Sequence, residues 1–439
     1  MERLPCDCMR CSQNNNIGFV ATRIAGTDGV SLETLKWAWI FENEGFNCFY
    51  FAGELETPPE KSYESKKSHF THHEIVDIYR RSFNVRHRSR STTQKIMAVK
   101  REIKDHLYDF IGRYHINLII AENCLTIPLN IPLGLALTEV ASETGMVMIA
   151  HHHDFYWERS RFMTNTVWEY LDMAFPPHLP RLHHVVISSA GESQLGFRKG
   201  SSSTLIPNVM DFENPPGPPD DYAADVRKAL GVAEDEYLIL QPTRVVQRKG
   251  IEHAIELVNR LGLRAKLVIS HSSGDEGYAY EQRIMEYSRL LNVETIFASK
   301  LINEKRRLTK SGRKIYTLND VYPHADLVTY PSSFEGFGNA FLEALYFKKP
   351  IVVNSYSIYS TDIKPKGFDV IEMDGFVDQK TLAKTKKVLR DAVYRQHMVE
   401  HNFEAAKRFY SYKALKHKLR GIMAEISHCT RNSDINGNL

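Results

Sequence analysis

The sequence predicts an α/β fold made of two Rossmann-like, doubly wound parallel sheets, one per domain, facing a central cleft. Three observations predict it. Short apolar runs rich in β-formers alternate with longer helical stretches, which is the grammar of β-α-β units. The runs lack strict polar alternation, as strands buried on both faces of a parallel sheet should. The pattern then starts again after a proline-rich, acidic connection, and a chain of 439 residues is long enough for two or three domains.

In the first half the expected strands are Ile17–Arg23, Asn47–Phe51, Asn117–Ala121, Met146–Ala150 and His184–Ser188. Helices are expected at Ser31–Glu44, Thr93–Arg113 and Pro132–Thr144. The connection is PNVMDFENPPGPPDD, Pro207–Asp221, whose prolines suit neither a strand nor a helix interior. Beyond it, strands are expected at Tyr237–Gln241, Lys266–Ser270, Glu294–Phe297, Asp326–Tyr330 and Pro350–Asn354. The accompanying helices are Ile251–Leu261, Tyr278–Leu291, Asn339–Phe347 and Leu382–Val393, with a last helical region at Ala405–Ser427. These elements give an extension over 1–16, a first domain over 17–206, a linker over 207–221, a second domain over 222–404 and a terminal helix within 405–439.

Composition narrows the function. With 56 basic and 53 acidic residues the formal charge is only +3, which argues against a dedicated nucleic-acid binder. No apolar stretch is long enough to span a membrane and the first residues lack the apolar core of a signal peptide, so a cytoplasmic location is expected. Cys6, Cys8 and Cys11 form C-x-C-x2-C, one ligand short of a tetrahedral zinc site, and no metal is expected there. Cys124 ends an apolar run and is expected to be a buried thiol. Between Arg80 and Lys104 nine basic residues face one acid, Glu102, while Ile96, Val99, Ile103 and Leu107 share helical spacing. A solvated face over a core stripe, an anion site and a peripheral membrane contact are the three readings of that run.

Three segments carry chemistry. In YPSSFEGFGNAFLEAL, Tyr330–Leu345, a strand ends, a loop with Gly336 and Gly338 follows, and a helix opens near Asn339, where backbone N–H groups favour an anion. Glu335 and Glu343 suit sugar or ribose hydroxyls, which donate to carboxylates; the bland alternative is an ordinary strand-to-helix turn. In PTRVVQRKG, Pro242–Gly250, Arg244 and Lys249 follow a strand and offer fixed cations for a diphosphate, and no D-x-D sequence occurs to bind it through a metal. In AHHHDFYWERSRF, Ala150–Phe162, consecutive histidines on extended chain point alternately. One functional His with two bystanders is therefore expected, with Asp154 fixing its tautomer or capping the next helix.

The E-x7-E pair, the PTRVVQRKG loop and the strand-end histidine together resemble glycosyltransferase family 4, with further support in GTDGVS, Gly26–Ser31, where that family has a glycine-rich loop. The resemblance implies a GT-B fold and a reaction that retains configuration at the transferred sugar. It implies that Arg244 and Lys249 hold the donor diphosphate, that Glu335 sits beside the sugar and that Gly336, Phe337, Gly338, Asn339 and Ala340 supply donor contacts. Glu343 would take the ribose, His153 would touch the sugar with His152 in reserve, and the terminal helix would cross back to the first domain. On the acceptor side Gly29, Asp154, Arg86 and Arg88 are the expected residues. A nucleotide-diphosphate sugar is the implied co-substrate, with no further cofactor. GTDGVSLETLKW, FAGELE, HFTHHEI and HHHDFYWERSRF also resemble enzymes that transfer mannose from GDP-mannose to a glucosyl-phosphoglycerate, which implies a small anionic acceptor. UDP-glucose with a saccharide or lipid acceptor, and a non-catalytic sugar-nucleotide-binding module, are the alternatives.

Overall fold

The computed structural model describes residues 15–273 and 278–436, with side chains through residue 426. Cys6, Cys8 and Cys11 lie outside the described residues. The chain divides into two compact units, one running to Pro207 and resuming at Leu415, the other Asn208–Ala414. Among the described residues no helix is long and apolar enough to cross a membrane.

The first unit holds seven parallel strands: β1 Asn16–Val20, β2 Asn47–Ala52, β3 Ser62–Glu64, β4 Leu118–Glu122, β5 Val147–His152, β6 Leu182–Val186 and β7 Ser203–Leu205, in the order β3-β2-β1-β4-β5-β6-β7. β1, β4 and β5 are buried along their whole length, which explains their lack of polar alternation. Strand order reverses between β1 and β4, the position at which open α/β sheets leave a crevice beyond their carboxyl ends. The helix Arg90–Tyr114 covers this sheet with Ile96, Val99, Ile103, Leu107 and Phe110, all buried; each contributes roughly 1.5–3 kcal/mol. Ser89 caps it, accepting from Thr92 N at 3.2 Å. Cys124 is a buried free thiol, as its apolar context implied, and donates to Val20 O at 3.4 Å.

The second unit repeats the plan with β8 Tyr237–Gln241, β9 Ala265–Ile269, β10 Thr295–Phe297, β11 Leu327–Tyr330, β12 Ile351–Asn354 and β13 Ile371–Met373, ordered β10-β9-β8-β11-β12-β13. Its reversal falls between β8 and β11, whose outgoing loops are PTRVVQRKG and PSSFEGFG. The strongly periodic helix Ile251–Leu261 occupies the residues expected of it.

Two helical expectations are corrected. Leu382–Val393 ends early, because the helix Gln379–Arg390 stops where the Asp391 carboxylate accepts from Tyr394 N at 2.9 Å and starts a new helix, Ala392–Tyr410. Ala405–Ser427 is likewise not one helix. Ser411 is extended, bridges to Met210 and caps the helix Tyr412–Asn436 through Ala414 N at 3.2 Å. That last helix rejoins the first unit, where Arg420 meets Glu44 at 2.6 Å and Lys418 donates to Leu205 O at 2.7 Å.

Candidate active site

In the second unit, adjacency of β8 and β11 brings two distant loops together. Lys249 pairs with Glu335 Oε1, and Arg248 reaches Glu335 Oε2 at 3.1 Å. Lys249 and Glu335 are each only 8% exposed, so this is a desolvated pair. Burial pushes the Lys249 ammonium below the ordinary lysine range, against the pull of Glu335. Burial also pushes the Glu335 carboxyl up, but Lys249 and Arg248 outweigh it and hold that carboxyl below the ordinary range. The Glu335 carboxyl is therefore ionised at neutral pH. Lys249 Nζ also lies 5.3 Å from the centre of the Tyr330 ring. Arg244, on the same loop, is exposed and near enough to depress the Lys249 pKa further.

The helix Asn339–Tyr346 begins after Gly338 with no side-chain cap and no acid in its first turn, so its leading N–H groups remain available to an anion. Gly338 has φ +122°, and a Cβ there would lie 2.4 Å from the Tyr356 hydroxyl, which donates to Phe337 O at 2.8 Å. Glu343, just over one turn into the helix, accepts from the Tyr322 hydroxyl at 2.7 Å. Asn339 accepts from Asn208 at 2.7 Å, while Phe337 and Ala340 are buried. Gly336 completes the loop between Glu335 and this helix. The chemistry of this arrangement is a fixed cationic loop facing an uncapped helix start, with carboxylates on either side. The sequence reading passed over Arg248, whose neighbour Lys249 carries the same charge; the fold brings both to Glu335.

In the first unit β5 runs two residues past its expected end, to His152. Strand alternation then sets His151 and His153 on one face and His152 on the other. His151 is in register with Glu122 of β4, and its Nδ1 lies 2.9 Å from Glu122 Oε2, with His153 Nε2 3.6 Å from the same oxygen. The Trp37 ring stacks on His151 at 4.3 Å. Burial pushes the Glu122 carboxyl up and both histidines down, His151 to about 4. Glu122, His151 and His153 also form the one group among the described residues with metal-ligand character, their ligand atoms lying within 4.8 Å of one another. A tetrahedral zinc needs ligand atoms about 3.3 Å apart, so the spread fits a hydrogen-bonded acid–imidazole cluster better than a metal centre. Glu122 escaped the sequence reading; the acid ending NLIIAE, a buried strand, was its only signal.

The carboxylate facing His153 is thus Glu122, and the expectation that Asp154 fixes the tautomer is corrected. Asp154 pairs with Arg159 and accepts from Asn123 at 3.3 Å. Nor does Asp154 cap the next turn, where Glu158 accepts from Phe155 N at 2.9 Å. On the opposite face Thr126, His152 and His184 form a buried chain, with His152 Nε2 2.9 Å from His184 Nδ1. Gly29 opens the helix Gly29–Asn43, but Asp28 already occupies that helix start, accepting from Val30 N and Ser31 N at 3.1 Å. The first glycine-bearing loop carries its own anion, unlike the second.

Two expected outcomes follow from the histidines. Glu122→Gln should change the ring-nitrogen NMR pattern of His151 and His153 together and leave His184 unchanged; unaltered tautomers would show that Glu122 does not set them. Stability should also fall as the pH drops from about 6.5 to about 4. His184 is held down to about 4 by burial, so in that window the unfolded chain binds the extra proton and is favoured. The loss is on the order of 3 kcal/mol for such a histidine, and a melting temperature flat across that range would contradict it.

Of the basic run, much is neutralised locally. Lys95 and Arg81 share Asp77, Lys100 and Lys104 share Glu139, and Lys104 also reaches Glu143. Arg88 is engaged through each of its three nitrogens: it pairs with Glu169, donates to Thr166 O at 2.7 Å and Thr93 Oγ1 at 3.0 Å, and lies over the Tyr170 ring at 4.8 Å. Arg86 is exposed.

Residues 223–404, the unit with the cationic loop, match the Glycosyl transferases group 1 family. The mannosylglucosylglycerate synthase of Petrotoga mobilis is 31% identical over 385 residues, 81% of this chain and 86% of that one. The enzyme of the same name from Thermotoga maritima is 29% identical over 422 residues, 89% and 95% of the two chains. A glycosyltransferase from Rickettsia africae superposes with a TM-score of 0.65 over 94% of this chain and 99% of its own, at 13% identity, which shows the shared GT-B fold. With two doubly wound sheets, a paired Lys249–Glu335 at the second switch point and relatives aligned along most of its length, the chain belongs to the group 1 glycosyl transferases and is a hexosyltransferase.

Proposed function

We propose that the protein moves a mannosyl group from GDP-mannose to a hydroxyl of a small anionic saccharide of the glucosylglycerate type, with retention at the anomeric carbon. The observation that carries the reading is the desolvated Lys249–Glu335 pair beside Arg244 and an uncapped helix start in one crevice. The names of the two relatives support mannose and a glucosylglycerate acceptor.

In this reading Arg244 and Lys249 take the donor diphosphate and the N–H groups from Gly336 to Ala340 complete its cradle. Glu335, anchored by Lys249 and Arg248, offers its remaining acceptor capacity to sugar hydroxyls, and Glu343 takes the ribose. The family resemblance gives His153, with Glu122 behind it, the contact to the transferred sugar. The acceptor hydroxyl oxygen bonds to the anomeric carbon as the bond from that carbon to the phosphate oxygen breaks. The hydroxyl proton passes to the departing diphosphate on the same face. Charge growing on the diphosphate is met by cations already fixed in place, the largest single contribution in reactions of this kind.

The test pairs binding with transfer. GDP-mannose at a hundred times its dissociation constant should stabilise the fold by about 2.7 kcal/mol, more than UDP-glucose at the same concentration, and NMR of the product should show the donor's anomeric configuration. Equal stabilisation by UDP-glucose would overturn the donor assignment, and an inverted product would overturn the mechanism. Binding without transfer to any acceptor would leave a sugar-nucleotide-binding module.

A further inference from the structure

The first unit has an open surface pocket of about 650 Å³ that the donor-side roles leave unused, lined by Arg86, His87, Arg88, Arg90, Trp168 and Glu169 among others; Arg86 and Arg88 are two of the residues expected on the acceptor side. Its place follows from topology. The helix Arg90–Tyr114 leads into the start of β4, so its C-terminal end lies at the amino edge of a parallel sheet and its N-terminal end at the carboxyl edge. At 25 residues it is about 37 Å long, well beyond a five-residue strand. The segment after β5 closes the other side, through a bridge between Phe83 and Asn165. The pocket therefore opens on the same edge as His153.

Its charges are not balanced internally. Arg88 and Glu169 neutralise one another, and each Arg88 nitrogen already donates to the surrounding framework. The Asn165 amide and the Thr166 hydroxyl are also engaged, with Phe162 O at 3.0 Å and Ser82 O at 3.2 Å. Arg86 and Arg90 are exposed and form no ion pair among the described residues, and His87 lies between them. Beside them the Trp168 ring is 49% exposed, although an indole of this size gains from being covered. Guanidinium groups recognise carboxylates and phosphates bidentately, and an open aromatic face suits the C–H face of a sugar ring. The basic run thus resolves into a helix surface on which Lys95, Lys100 and Lys104 are paired, and this mouth, where Arg86 and Arg90 are not.

We propose that the pocket binds the anionic end of the acceptor, a saccharide carrying a carboxylate or a phosphate, with Arg86 and Arg90 on the anion and Trp168 under the sugar. Arg88 is a positioning residue that holds the pocket wall rather than a contact to the ligand. The inference rests on the reading of the first unit as the acceptor side.

The test uses the full chain and separates the two readings. Titration with glucosylglycerate and with glucosyl-3-phosphoglycerate should quench tryptophan fluorescence in the wild type, and the quench should be absent in Trp168→Phe. The double variant Arg86→Ala/Arg90→Ala should weaken binding of the anionic saccharide at least tenfold while leaving the uncharged glucosylglycerol unaffected. The wild-type affinity should fall as salt rises. A preference for the phosphorylated probe assigns phosphate as the anion, and a preference for the other assigns carboxylate. If neither probe binds, or if the double variant binds charged and uncharged saccharides in the wild-type ratio, the proposal is wrong. Because binding is read without donor, these outcomes stand whatever sugar is transferred; a wild type that binds both probes but transfers nothing would instead overturn the proposed function.

Discussion

Lys249→Ala should lower turnover by a factor of about 10² to 10³, or about 3 kcal/mol of transition-state stabilisation, the scale seen when one fixed donor to a developing oxyanion is removed. The substitution acts twice. It takes away a cation proposed to meet charge on the leaving diphosphate, and it leaves the buried Glu335 with Arg248 as its remaining ion-pair partner among the described residues. Removing one partner of a buried ion pair costs up to about 3–5 kcal/mol, less whatever Arg248 still compensates, so melting temperature must be measured alongside the rate. Lys249→Ala/Glu335→Gln separates the effects. It should regain stability, because the stranded charge is gone, and it should not regain turnover. A single variant with wild-type turnover would remove Lys249 from the chemistry altogether.

Gly338→Ala should be nearly as damaging through backbone geometry alone. Its φ of +122° is a conformation that L side chains rarely adopt, and the added Cβ would meet the Tyr356 hydroxyl at 2.4 Å. Strain in such a region costs about 1–3 kcal/mol and overpacking a similar amount, so a loss of several kcal/mol is expected in denaturant titration. Donor binding should weaken too, since Gly338 is the residue from which the uncapped helix Asn339–Tyr346 starts. Adding Tyr356→Phe tests the cause: it removes the clashing oxygen and should recover the overpacking part, less about 1 kcal/mol for the lost bond to Phe337 O. No recovery would mean that the φ requirement carries the whole effect.

These two sites differ in how readily a sequence shows them. The loops PTRVVQRKG and PSSFEGFGNAF declare themselves because their chemistry is local: a buried strand, then glycines or cations, then a periodic helix. The same locality made Ile251–Leu261 legible to the residue. It failed at Asp391 and Ser411, where one polar side chain captures a backbone N–H and restarts a helix that apolar spacing alone would continue.

What the sequence determined by itself was the doubly wound architecture and the donor-side loops, since buried strands, helix periodicity and glycine-bearing turns are written in neighbouring residues. Tertiary structure alone decided which charges face each other. Glu122 meets His151 because β4 and β5 are in register, Lys249 meets Glu335 because β8 and β11 are adjacent, and Arg88 is tied down by Glu169 from another part of the chain. Opposite charges attract with an energy set by distance and burial, and neither quantity is encoded in spacing along the chain.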